Sequence, residues 1–186
     1  MYRHAEHICP WRHLANTLDG ARPAGVVRLA AHDSERTVFT RFITPLQPHD
    51  RPGRWHRYYE RWACATRQEL SGDALDLVSP LARFAPPATV IDKPAYSAFF
   101  SSRLGAFLAG KHVTTLIITG SETDVCVLSS VLDAVDRGFR VIVVEDALCS
   151  SSDEGHDALM TLYGTRFTDQ VELLDLEAVI SIWHER

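Results

Sequence analysis

The sequence predicts a three-layer α/β/α fold with a mainly parallel central sheet. Two observations lead there: five short apolar, β-branched runs recur along the chain, and each is separated from the next by a segment long enough for a helix. Strands buried on both faces read as near-continuous apolar runs, as these do, and connections of helical length return each strand parallel to the last. With 186 residues and 46% hydrophobic content, one substantial core is expected, and hence a single domain over residues 1–186.

Taken in order, Val26, Val27, Leu29 and Ala30 fall at helical spacing and predict a helix leading into the first strong strand, Thr37–Ile43. The stretch Ile43–Gly53 (ITPLQPHDRPG) is a long connection rich in turn residues, and Trp55–Trp62 (WHRYYERW) a helix. Pro86 and Pro87 mark a loop before the strand Thr89–Asp92. A helix at Ser102–Ala109 precedes the strand Val113–Thr119. Next come a helix at Thr123–Arg137, a strand at Arg140–Val144, a helix at Asp153–Tyr163, a strand at Val171–Leu174 and a helix at Leu176–Trp183. In such sheets the ligand site lies at the carboxyl ends of the strands, where Lys93 and Cys126 fall.

The stretch Leu116–Ser129 (LIITGSETDVCVLS) carries the most chemistry. Gly120 permits a sharp backbone path, Ser121 and Thr123 are placed to cap the coming helix, and Cys126 falls in its first turn. Unpaired N–H groups and the helix dipole favour a thiolate there, and the same N–H groups can hold an oxyanion. Behind it Val127, Leu128, Val131, Leu132 and Val135 form a buried face. On spacing alone, a cysteine so placed is more often a small buried residue than a nucleophile.

Four stretches change that balance: TVFTRF (Thr37–Phe42), DKPAYSAF (Asp92–Phe99), TGSETDVCV (Thr119–Val127) and EDALCSSSDEGHDA (Glu145–Ala158). In order and spacing they resemble the isochorismatase-like cysteine hydrolase superfamily, which includes isochorismatases, nicotinamidases and N-carbamoylsarcosine amidases. The resemblance runs from about Pro10 to Leu174 and implies the isochorismatase-like, Rossmann-like topology. It further implies a site in which Cys126 is the nucleophile and Lys93 its cationic partner, with a non-proline cis peptide at Ser121–Glu122 shaping the oxyanion turn. Because Cys126 is present, it favours amide or ureido C–N hydrolysis of a small molecule over vinyl-ether hydrolysis. By analogy it also implies a homo-oligomer.

The resemblance calls for a third residue, an aspartate ending a first strand, and the opening MYRHAEHICPW contains no such run. Asp33 is too close to Thr37 for a crossover of about a dozen residues. Asp124 and Asp92 are expected to face away from the site. The family's first strand is expected between the strands carrying TVFTRF and ATVID, where its loss would leave a gap of about 10 Å. The expectations are a start upstream of Met1, repair by another segment or subunit, or a catalytically inactive small-molecule-binding or assembly protein of the same fold. The first is favoured.

The aromatic run at Trp55–Trp62 packs one face on the body, and with Tyr96 and Phe99 could wall an apolar pocket through Trp55 and Tyr59, or form a subunit interface. The metal-binding Asp and His set of nicotinamidases has no counterpart after Thr40, where Arg41 and Phe42 stand, so neither a catalytic metal nor another cofactor is expected. His156 reads as a surface or capping group. The formal net charge of −5, with two lysines and no basic cluster, argues against nucleic acid as a partner. Cys9, Cys64, Cys126 and Cys149 form no C-x-x-C pair or zinc pattern, and Cys149 is read as a packing residue or a second reactive thiol. No signal peptide or apolar span long enough for a membrane is evident, so a reducing cytoplasm is expected.

Overall fold

The computed structural model describes residues 22–184. Its first element, α1 (Arg22–His32), bears out the helical reading of Val26–Ala30. Val26 and Leu29 turn toward one set of strands and Ala30 toward another, packing on Phe39 and Ala88. A Cβ added at Gly25 would stand 3.1 Å from the Cβ of Ala147, so a residue without a side chain lets α1 approach the sheet this closely.

Strand β1 (Val38–Phe42) pairs in parallel with β2 (Thr89–Lys93) over five residues, from Val38↔Thr89 to Phe42↔Lys93. Their connection carries a 3-10 turn (Pro48–Asp50), helix α2 (Arg54–Arg61), a second 3-10 turn (Ala63–Ala65) and the short α3 (Ser79–Ala82). Cys64, in the second turn, is disulfide-bonded and so is not a thiol. Cis bonds precede Pro86 and Pro87 in the loop that reaches β2.

After α4 (Ser102–Gly110) come β3 (Thr115–Ser121), a π-helical turn (Thr123–Val127) and α5 (Leu128–Asp136). Then follow β4 (Arg140–Cys149), α6 (Asp153–Thr165), β5 (Val171–Leu174) and α7 (Leu176–His184). These strands form a second parallel sheet in the order β3-β4-β5. Its centre, Val141–Val144, is wholly buried, as expected of a strand covered on both faces.

Three expectations need correction. The strand Arg140–Val144 continues to Cys149, because β3 slips in register between Ile118 and Gly120 and then pairs Gly120 with Leu148 and Ser121 with Cys149. Gly120 takes a φ of +107° at that irregularity, a conformation suited to glycine. The helix expected over Thr123–Arg137 opens as a π turn, since the N–H of Val127 reaches back five residues to the Glu122 carbonyl at 2.9 Å. Finally, the strands carrying TVFTRF and ATVID are hydrogen-bonded neighbours, with no gap between them. Among the described residues the ladder breaks instead between the β1-β2 pair and the β3-β4-β5 sheet.

Helices and side chains span that break. On one face α1 lies across both sheets. On the other, Ile91 and Val38 share a core with Leu116, Ile118 and Val143, covered by Leu104 and Leu108 of α4, Val131 of α5 and Tyr163 of α6. Helices thus cover both faces, as the three-layer reading requires.

Candidate functional site

Alternation along β2 separates its last two side chains. Asp92 points to the side where Arg41 of β1 holds it with two hydrogen bonds, at 2.8 and 3.0 Å. Lys93 turns the other way and is 4% exposed. Its ammonium lies 5.2 Å from the centre of the Phe42 ring and donates to the carbonyls of Ala95 (3.1 Å) and Tyr96 (2.5 Å). Burial pushes the Lys93 pKa down, and the nearby Cys126 partly opposes that by favouring the charged form.

Cys126 is partly exposed in the π turn after β3, and the Ser121–Glu122 peptide bond that opens this turn is cis, at the position the resemblance implies. The capping expected of Ser121 and Thr123 is absent. Glu122 is the residue at the turn's N-terminus and makes no side-chain cap. Thr123 is fully buried and its hydroxyl meets His156 Nδ1 at 2.9 Å. His156 is therefore tied to the cysteine turn, not merely a surface group.

Sequence reading missed the residue that ties the two halves together. Ser130 Oγ donates to the Cys126 carbonyl at 2.7 Å and accepts from the N–H of Ala98 at 3.0 Å, joining the cysteine turn to the loop after Lys93. Ser97 also hydrogen-bonds Asp133 of α5. Nothing in the spacing of a serine four residues after a cysteine signals such a contact, which spans 32 residues.

The expected pocket residues divide. Trp55 lies 4.9 Å from Tyr96 and 5.9 Å from Tyr59 between ring centres, and Phe42 lies 6.1 Å from Tyr96. Tyr59 is fully buried, its hydroxyl has no hydrogen-bond partner, and burial pushes its pKa far above the usual tyrosine value. Burial raises Tyr96 as well, with smaller contributions from Cys126 and Glu122. Phe99 departs from expectation: it sits in the main core, 6.0 Å from Phe139 and beneath the Arg137 guanidinium. It packs inward with Leu104 and Leu108 of α4 and Val131 of α5.

Beside Lys93 a cavity of about 460 Å³ opens between the ends of β1 and β2 and the following loop, with Thr44 and Arg51 in its wall. Thr44 Oγ1 and Arg51 Nε are buried without hydrogen-bond partners, and the Arg51 guanidinium stacks on Trp55 at 5.2 Å. The other candidate carboxylates lie elsewhere. Asp33 receives the Arg36 N–H just after α1, and Asp124 receives the hydroxyl of Ser150. Among the described residues no group of three or more His, Cys, Asp or Glu could hold a metal ion, and no helix is long and apolar enough to cross a membrane.

Residues 24–173 match the family model of the isochorismatase domain. The chain belongs to the isochorismatase family. Among its curated relatives, a maleamate amidohydrolase of Pseudomonas putida is 33% identical over 103 residues, 52% of this chain and 48% of that protein. A ureidoacrylate amidohydrolase of Variovorax paradoxus is 28% identical over 141 residues, 72% of this chain and 54% of that one. The chain thus spans about half the length of these relatives. Solved structures share the isochorismatase fold. A cysteine hydrolase from Pseudomonas syringae superposes with a TM-score of 0.73 at 22% identity, covering 90% of this chain and 81% of that one. An isochorismatase family protein from Desulfovibrio vulgaris gives 0.74 at 16% identity, covering 99% and 92%. Both of these relatives are named as amidohydrolases.

Proposed function

We propose that this protein is a cysteine-dependent hydrolase that cleaves an amide or ureido C–N bond in a small molecule, with Cys126 as nucleophile and Lys93 as its cationic partner. One observation carries the reading: a buried ammonium, a partly exposed thiol that interacts with it, and a cis turn at Ser121–Glu122 meet at the carboxyl ends of β2 and β3.

The chemistry follows from those groups. Lys93 stabilises the Cys126 thiolate, which attacks the carbonyl or carbamoyl carbon. The tetrahedral oxyanion faces the Cys126 N–H and an N–H of the preceding turn. The amine departs with a proton, and water then cleaves the thioester. Neither Asp92, held by Arg41, nor Asp124, which accepts from Ser150, is assigned as the proton acceptor. Trp55 and Tyr96 wall the site with Tyr59 packed behind them, and Arg51 and Arg67 in the cavity beside Lys93 favour a substrate with a polar or anionic end.

Two of the similar proteins are named for maleamate and ureidoacrylate, so those compounds open the substrate panel. Ammonia release that disappears in Cys126→Ala is the expected result. Release that survives this substitution would overturn the nucleophile assignment. No release from any amide, with Cys126 alkylated no faster than glutathione, would favour a binding protein of the same fold.

A further inference from the structure

We propose that Thr123, Asp124 and His156 are positioning residues: the start of α6 clamps the π turn and thereby fixes where the Cys126 thiol points. The proposal rests on the reading of Cys126 as a nucleophile, and names what holds it.

The π turn needs such support. Its bond from the Val127 N–H to the Glu122 carbonyl spans five residues, and π turns are rare insertions in helices whose commoner winding closes four. Rewinding residues 123–127 as a continuation of α5 would rotate Cys126 about the helix axis, away from Lys93. Inside the turn, the hydrogen bond of Ser130 to the Cys126 carbonyl anchors only its far end.

Contacts from α6 and from the residues just before it hold the near end. Thr123 is fully buried, so its hydroxyl must find a partner, and His156 Nδ1 supplies it at 2.9 Å. Asp124 accepts the hydroxyl of Ser150, itself buried, and presses its other carboxylate oxygen against Gly155. A Cβ added at Gly155 would collide with that oxygen, so the glycine is what admits the carboxylate. Ser152 caps the same end of α6 by accepting the Gly155 N–H at 3.0 Å, which fixes the helix start against which both contacts are made. Two independent contacts therefore converge on consecutive residues of the turn, two and three positions before the cysteine.

The test is the rate at which iodoacetamide alkylates Cys126 at neutral pH, read by mass spectrometry of the Cys126 peptide. Thr123→Val and His156→Ala should each slow it about tenfold, and the double variant no further than the slower single, because both remove one contact. Thr123→Ser and His156→Asn preserve the hydroxyl and a side-chain amide able to donate or accept near the Nδ1 position, and should recover the rate to within about twofold. Gly155→Ala should slow alkylation independently by displacing Asp124. Unchanged rates in the two disruptive singles would overturn the proposal. So would additive losses, or conservative variants as slow as the disruptive ones. Should His156→Ala fail to fold, the comparison of Thr123→Val with Thr123→Ser decides alone. A wild-type rate no faster than that of glutathione would sink the nucleophile reading, while the ratio of variant to wild type still judges the positioning.

Discussion

The ammonium of Lys93 donates to the carbonyl oxygen of Tyr96, three residues further along the chain, and lies over the Phe42 ring, while the Tyr96 ring packs against Trp55. The loop after β2 thus wraps its own backbone around the cation that ends the strand. Two carbonyls replace part of the water that Lys93 lost on burial, and a charge held this way remains costly.

That cost has a pH signature. Burial lowers the Lys93 pKa below its ordinary 10.5, so between its folded value and 10.5 the unfolded chain binds more protons than the native one. Stability referred to this group therefore rises with pH across that window, and the full penalty is present below it. Urea unfolding of the wild type and Lys93→Met from neutral to alkaline pH should show the wild type gaining on the variant as pH rises. Parallel curves would refute the buried-charge account.

Tyr59 and Tyr163 are both fully buried with hydroxyls that lack hydrogen-bond partners, and burial raises the Tyr163 pKa to about 12. Removing an unsatisfied buried hydroxyl without changing the ring should stabilise the fold by about 1 kcal/mol in each Tyr→Phe variant. Neither hydroxyl reaches the surface, so both variants should leave KM unchanged even though Tyr59 stands among the rings near Cys126. Melting temperatures and steady-state kinetics on the same preparations separate the effects, and a destabilised Tyr163→Phe would contradict the orphan assignment.

Much of this was legible in the sequence, and the remainder was hidden for a physical reason. The runs VFTRF and VIVV declare strands through β-branched side chains, and the order of motifs around Lys93 and Cys126 declares the family. The direction of Asp92 followed from period-two alternation alone. What escaped depends on contacts between distant segments: the Ser130 bridge to Ala98, the His156 bond to Thr123, and the register slip that carries β4 on to Cys149. Phe99 was misplaced for the same cause, since an aromatic ring near a site is equally at home in the core behind it. The π turn is also invisible locally, because residues 123–127 have no composition that distinguishes it from an α-helical start.

The pair Arg41 and Asp92 locks the last rungs of β1 and β2 in register, with Asp76 adding a second carboxylate to the guanidinium at 2.9 Å. Both members are partly exposed, so Asp92→Asn should cost no more than about 1 kcal/mol. Because Asp92 points away from Lys93, its amide should leave the alkylation rate of Cys126 within about twofold of wild type. A large loss of Cys126 reactivity in this variant would make Asp92 the base after all, and would require the side chain to leave Arg41.

Gly25 gives the last prediction, because it tests how the broken sheet is held together. Helix α1 crosses both sheets, and at Gly25 it packs closely on β4. An added Cβ would lie 3.1 Å from that of Ala147 and 3.7 Å from Leu176 Cδ2. A single methyl gains helix propensity, about 1 kcal/mol, while crowding Ala147, so Gly25→Ala sets two comparable terms against each other. A larger side chain has no such compensation. Gly25→Leu should destabilise by about 1–3 kcal/mol, as overpacking does, by lifting α1 from β4 and loosening its grip through Ala30 on Phe39. Hydrogen exchange in the variant should then quicken in β1 and β2 more than in β3 and β4, which keep their own ladder with β5. Uniform acceleration across all five strands would mean that the two sheets unfold as one unit, and that α1 is not the element joining them.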